Sequence, residues 1–204
     1  MNYSFESVAT GLASAGYAVV DQFLRQDEVT AVLNTKGFQN SFGNFKKAGI
    51  GIALQRQVNE AIRSDYIQWI DKIDPPPPIK AYFAKINSLI EYLNRSLFLS
   101  LKDYEVHMTV YPPGACYKRH IDQHKLDDHR KLSIICYLNE GWKEEYGGQL
   151  RMHLPDAVLD ILPLSGRLVC FRSDTIEHEV LPATEDRRSL TGWILDQMAD
   201  LRHL

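Results

Sequence analysis

Tyr104-Glu105-Val106-His107-Met108-Thr109-Val110-Tyr111, followed by Pro112-Pro113-Gly114, decides the fold class. Apolar and polar residues alternate along it. That is the period of a strand, whose successive side chains point to opposite faces. The prolines and Gly114 then turn the chain. Similar short runs occupy 117–122, 131–138, 148–154, 158–161, 167–171 and 187–195, without helical spacing between them. Many short strands joined by tight turns predict an antiparallel sandwich or barrel.

Upstream the spacing is mixed. Ile79, Phe83, Ile86, Ile90, Leu93 and Leu97 step by three and four, which predicts a helix whose stripe lies against the sheet. Pro75-Pro76-Pro77-Pro78 reads as a rigid extended spacer before it. Phe5, Val8, Ala9 and Leu12 share one face of a first helix, with Gly16 as its stop. Tyr17 to Val20 reads as a buried strand, Asp27 as the cap of a second short helix ending near Gly37, and Ile62 to Ile70 as a strand. Residues 38–58 read as a long polar loop or loose hairpin. The expected class is α+β, a β core with helices packed outside.

Composition narrows the function. The 204 residues are 45% hydrophobic and 24% charged, which fits one globular domain and excludes a disordered, collagen-like or disulfide-framework chain. A net charge of −3 makes nucleic acid an unlikely partner. The longest uncharged run, Ser7 to Val20, is too short to span a bilayer. Met1 to Glu6 lack the basic and apolar blocks of a secretory signal. Three cysteines without a CxxC pair fit a reducing compartment, with Cys136 and Cys170 expected as buried thiols. The expected location is cytoplasmic, with no membrane partner.

The histidines carry the chemistry. His120 and Asp122, two apart at a strand end, present an imidazole and a carboxylate to one side. His178, after the apolar run Leu168 to Phe171, is the candidate third ligand. Two histidines and one carboxylate are the facial triad of non-haem Fe(II) oxygenases, which leaves positions open. Arg187, Ser189 and Thr191 share one strand face. An inward arginine on a strand that also carries Leu190 and Trp193 needs an anion, either an internal Asp or Glu or a bound carboxylate. His120 and His124 would suit zinc on a helix, but the strand context and the lack of a Glu after His120 argue against a zinc hydrolase. His129 reads as a second decoy, His107 and His153 as structural, and His203 as tail.

The chain resembles the Fe(II)- and 2-oxoglutarate-dependent prolyl hydroxylases, the group that includes the hypoxia-inducible-factor prolyl hydroxylases and their bacterial relatives. The resemblance runs through Gly16 to Leu24, Ile62 to Asp65, Tyr111-Pro112, Tyr117 to Asp122, Tyr137-Leu138-Asn139, Gly147 to Arg151, His178-Glu179-Val180 and Arg187 to Trp193. It implies a double-stranded β-helix, or jelly roll, in a single domain over 1–204. In it, 1–103 would give helical support and a substrate loop, 104–195 the catalytic β core and 196–204 a tail. It implies Fe(II) on His120, Asp122 and His178, with O2 and chelated 2-oxoglutarate as cosubstrates and ascorbate as a reductant. Arg187 would hold the distal carboxylate with Tyr137 and Thr191, Tyr111 would lie beside the cosubstrate, and Ile135, Leu150 and Trp193 would form an apolar wall. Arg130 stands where the family has a substrate-contacting arginine, and 38–58 where it has a substrate-gating loop. The implied reaction hydroxylates a prolyl residue and releases succinate and CO2. The expected partner is a proline-containing protein or peptide, with a component of the translation apparatus in view. Two other readings stay open: the same chemistry on a lysyl, nucleic-acid or small-molecule substrate, and a silent binding or sensor module.

Overall fold

Described by the computed structural model are residues 2–39, 44–49, 59, 61–123 and 128–198. Most of the expected loop at 38–58 lies outside them, as do His124, His203 and the end of the tail. The chain runs through helix α1 (Asn2–Ala15), strand β1 (Tyr17–Val20), helices α2 (Gln26–Leu33) and α3 (Lys36–Gln39), strands β2 (Lys46–Lys47) and β3 (Tyr66–Trp69), and helix α4 (Pro77–Leu97). Strands follow: β4 (Asp103–Tyr111), β5 (Tyr117–His120), β6 (Arg130–Tyr137), β7 (Leu150–His153), β8 (Val158–Ile161), β9 (Leu168–Arg172), β10 (Glu177–Val180) and β11 (Arg187–Leu195).

One sheet has the order β1-β9-β6-β11-β4-β3-β2, the other β5-β10-β7-β8, and their strand pairs are antiparallel. Alternation sorts the long strands onto two cores. Val106, Met108, Leu132, Ile134, Cys136, Leu168, Cys170, Leu190 and Ile194 pack under α1, α2 and α4. Tyr111, Ile135, Tyr137, Val169 and Phe171 pack instead against Leu150, Met152, Ile161 and Val180 of the smaller sheet. The two-residue period thus aims one set of side chains at the helices and the other into the sandwich, as in a jelly roll. No helix among the described residues is long and apolar enough to cross a membrane.

Local chemistry moves several expected boundaries. Asp27 is not the cap of α2. Arg25 is, in extended backbone (φ −68°, ψ 161°), and Glu28 accepts its N–H at 2.8 Å. That helix stops at Leu33, and α3 restarts the chain with Gly37 inside it, where a Cβ would strike the Met108 sulfur. Pro77 and Pro78 are not spacer but the first turn of α4, where a helix needs no N–H donor. The strand expected at Ile62–Ile70 shrinks to Tyr66–Trp69, because Arg63 and Asp65 turn aside into an ion pair. β5 ends at His120, and Asp122 lies in a bend beyond it.

Candidate active site

Strand register builds the metal-type cluster. β5 and β10 pair so that His178 stands directly opposite His120. His120 Nδ1 donates to Lys118 O at 2.7 Å and His178 Nδ1 to Ile176 O at 3.1 Å. A carbonyl only accepts, so each Nδ1 carries its ring's hydrogen and each Nε2 offers a lone pair. Asp122 brings Oδ1 to 3.4 Å from His120 Nε2 and Oδ2 to 3.6 Å from His178 Nε2. One ligand atom from each of the three residues lies within 4.8 Å of the others.

Supporting contacts hold these donors in place. Ser133 Oγ donates to Asp122 Oδ2 at 2.6 Å and lies 2.9 Å from Ser173 Oγ. The Tyr117 ring stacks on His120 at 3.5 Å, and the Arg63 guanidinium lies 4.6 Å above Tyr117. Arg63 is locked by a fork to the fully buried Asp65, at 2.7 and 3.0 Å. Burial pushes the Asp122 carboxyl up, but His178, His120 and the Ser133 hydroxyl outweigh it and hold it well below its ordinary value. Burial pushes His178 down to about 4 against the pull of Asp122. An ionised carboxylate and two imidazole nitrogens, without thiolate, are a donor set that fits Fe(II).

The cavity beside this cluster ends at Arg187, which is 1% exposed. Its Nε donates to Gly148 O at 2.8 Å and its Nη2 to Tyr137 Oη at 3.2 Å. The rings of Tyr111 and Tyr137 lie 5.1 and 4.8 Å from the guanidinium carbon. No carboxylate pairs with it among the described residues. Gly148 (φ +71°) leaves room for this approach, since a Cβ there would stand 3.3 Å from Arg187 Cδ and 2.9 Å from Ala183 Cβ. A buried guanidinium without an internal anion is a receptor for an external one.

Comparison with known proteins gives the same reading. Residues 106–195 match the model of the 2OG-Fe(II) oxygenase superfamily. The crystal structure of a Pseudomonas putida prolyl-4-hydroxylase is similar at 39% identity and a TM-score of 0.85, over 95% of this chain and 100% of that one. The chain belongs to the Fe(II)- and 2-oxoglutarate-dependent prolyl hydroxylase family. A Trichoplax adhaerens prolyl hydroxylase, solved with a peptide of the hypoxia-inducible-factor oxygen degradation domain, is similar at 30% identity and a TM-score of 0.83, over 94% of this chain and 89% of that one. The hypoxia-inducible-factor prolyl hydroxylase of Caenorhabditis elegans and human Egl nine homolog 1 are each 28% identical over 97% and 96% of this chain. The chain spans 29% and 47% of the lengths of these two curated relatives. The family uses Fe(II), 2-oxoglutarate and O2.

The family-type cavity gathers most of the residues singled out from the sequence. His120, Asp122, His178, Arg187, Tyr111, Thr191, Ile135, Leu150 and Trp193 all line it. Tyr137 is fully buried behind Arg187, and Thr191 Oγ1 lies 2.9 Å from Ser189 Oγ. Arg130 does not line the cavity. It donates to Glu105 Oε1 at 2.9 and 2.7 Å and lies 3.6 Å over the Trp193 ring. Of the two decoys, His129 places Nδ1 2.8 Å from Asp196 Oδ1 and His124 lies outside the described residues; His153, read as structural, places Nε2 3.0 Å from Glu179 Oε1. Arg63, Asp65, Thr109, Tyr117 and Val180 also line the cavity and had no assigned role, and His107, read as structural, lines it with them. Parity was the available signal for two of them: Thr109 and His107 lie two and four residues from Tyr111 on one strand, and so share its face.

Proposed function

We propose that this chain is an Fe(II)- and 2-oxoglutarate-dependent dioxygenase that hydroxylates a prolyl residue of a protein or peptide, with release of succinate and CO2. One observation carries the reading: a buried arginine without a carboxylate partner among the described residues shares a cavity with a His-Asp-His cluster. The distal carboxylate of 2-oxoglutarate would complete the Arg187 pair, with the Tyr137 and Thr191 hydroxyls as further donors and Tyr111 alongside. His120 Nε2, the Asp122 carboxylate and His178 Nε2 would hold Fe(II). Bound there with 2-oxoglutarate and O2, the metal supplies the oxidising power for an unactivated C–H bond. Ile135, Leu150, Val180 and Trp193 keep water from the reacting centre. No side chain is required as a general base, and the backbone bonds of His120 and His178 keep both rings as fixed donors.

The substrate follows from the family. A relative solved with a peptide fragment supports an extended prolyl peptide as the occupant. Arg130, braced by Glu105 over Trp193, would meet that peptide at the rim. A component of the translation apparatus, in the cytoplasm, is the partner we favour. Residues 1–204 would act as one oxygenase domain, 104–195 its catalytic core, since α1, α2 and α4 cover the outer face of the larger sheet.

Anaerobic titration of the protein with Fe(II) and then 2-oxoglutarate tests the reading. A visible charge-transfer band is expected in the wild type and its loss in His178→Ala. A wild type that binds neither would leave a binding module in its place.

A further inference from the structure

One cavity group is unused by the chemistry above. His107 is 1% exposed and lines the cavity from β4. Strand register sets it directly opposite Thr191 on one side and Trp69 on the other. Its ring meets Trp69 edge-on at 5.0 Å and lies 5.6 Å from the Trp193 ring. Its Nδ1 lies 2.8 Å from the Thr109 hydroxyl. Its Nε2 is buried and has no hydrogen-bond partner among the described residues. A bare imidazole nitrogen in an interior is costly, and the Trp69 and Trp193 rings, 6.3 Å apart, both pack against this ring without offering it an acceptor or donor.

Position and charge define what would pair with Nε2. Across β4 and β11 the facing pairs are Tyr111 with Arg187, Thr109 with Ser189, and His107 with Thr191. Arg187 and the His-Asp-His cluster would bracket the cosubstrate. His107 stands at the other end of this ladder from Arg187, beside half-buried Trp69 and the part-exposed Arg130–Glu105 pair. Burial and the nearby Arg63 push its pKa down to about 3, so the ring is neutral. A neutral ring favours a dipole over an ion. A peptide amide offers both an N–H and a carbonyl, so it matches either tautomer.

We infer that His107 positions the substrate, its Nε2 hydrogen-bonding a main-chain amide group next to the target proline. This rests on the prolyl hydroxylase reading. Two substitutions separate the two nitrogens. His107→Asn keeps a polar atom near Nδ1 for Thr109 and removes Nε2. His107→Gln reaches the Nε2 position. Wild type and both variants are assayed on an array of unstructured peptides, each with one central proline. KM is then measured for the best peptides and for 2-oxoglutarate, and anaerobic peptide binding is followed by tryptophan fluorescence.

The expected result is a roughly tenfold rise in peptide KM and a matching loss of binding in His107→Asn. His107→Gln should recover most of it, and the 2-oxoglutarate KM should be alike in all three. Equal melting temperatures would confirm that the variants fold. Equal peptide KM across the three proteins overturns the inference. So does a rise confined to 2-oxoglutarate, which would turn the nitrogen toward the cosubstrate. If the wild type forms the Fe(II)–2-oxoglutarate band but hydroxylates no peptide, the prolyl reading fails and this inference with it.

Discussion

Arg187 combines two costs that an apoprotein does not recover. Its charge is removed from water, and among the described residues its fork meets only a carbonyl, a phenol and two ring faces. Neutral acceptors compensate a buried guanidinium incompletely, whereas a carboxylate takes two parallel charge-assisted bonds. The binding residue is therefore a stability liability until its ligand arrives. Arg187→Met retains most of the side-chain volume and drops the charge. Its KM for 2-oxoglutarate should rise on the order of a hundredfold, about 2–3 kcal/mol for a lost ionic fork. The melting temperature of the apoprotein should hold or rise. Paired 2-oxoglutarate kinetics and thermal melts check both halves. A variant that loses stability without losing 2-oxoglutarate affinity would make Arg187 a structural residue.

β11 is the element that joins the two cores. Its inward residues Arg187, Ser189, Thr191 and Trp193 face the cavity side, while Leu190 and Ile194 lie under the helices. Gly192 falls on the helix side, where a Cβ would collide with the Glu105 carbonyl oxygen and stand 2.9 Å from the Val106 backbone. Gly192→Ala should therefore push β4 away and cost at least ~2 kcal/mol, read as a lower urea midpoint. An unchanged midpoint would show that the ladder has slack. Period two made β11 and β8 legible in the sequence with the bounds the structure has, and the three-and-four stripe of α4 was equally plain. Period gives the face of a strand but not its register. The opposition of His178 to His120 and the Ser133 bond to Asp122 join residues 58 and 11 apart, and no local pattern announces them. The shortened β3 has the same origin, since Arg63 leaves the ladder for Asp65 and the Tyr117 ring. The triad and the clamp were readable because their residue types are rare in strands. The supporting shell was not, because serine, tyrosine and an Arg–Asp pair are ordinary anywhere.

For the whole molecule the cavity sets the response to acid. His107 and His178 are buried neutral, with pKa values pushed to about 3 and about 4 by burial first, then by Arg63 for His107 and against Asp122 for His178. In the unfolded chain both would titrate near ~6.5. Above that pH neither state holds these protons, and they make no pH-dependent contribution. Between about 6.5 and 4 the unfolded chain binds both protons and the folded one neither, so stability falls as pH falls, by ~1.4 kcal/mol per pH unit for each ring. Asp122 is held below the ordinary carboxylate range, so its share is lost only in stronger acid. Denaturant midpoints of the metal-free protein should be flat from these groups above pH 7 and decline steeply from pH 6 to 4.5. His107→Asn should remove about half of that decline while leaving the plateau. If the variant declines as steeply as the wild type, His107 is not held neutral in the folded state, and the acid sensitivity belongs to the metal-type cluster alone.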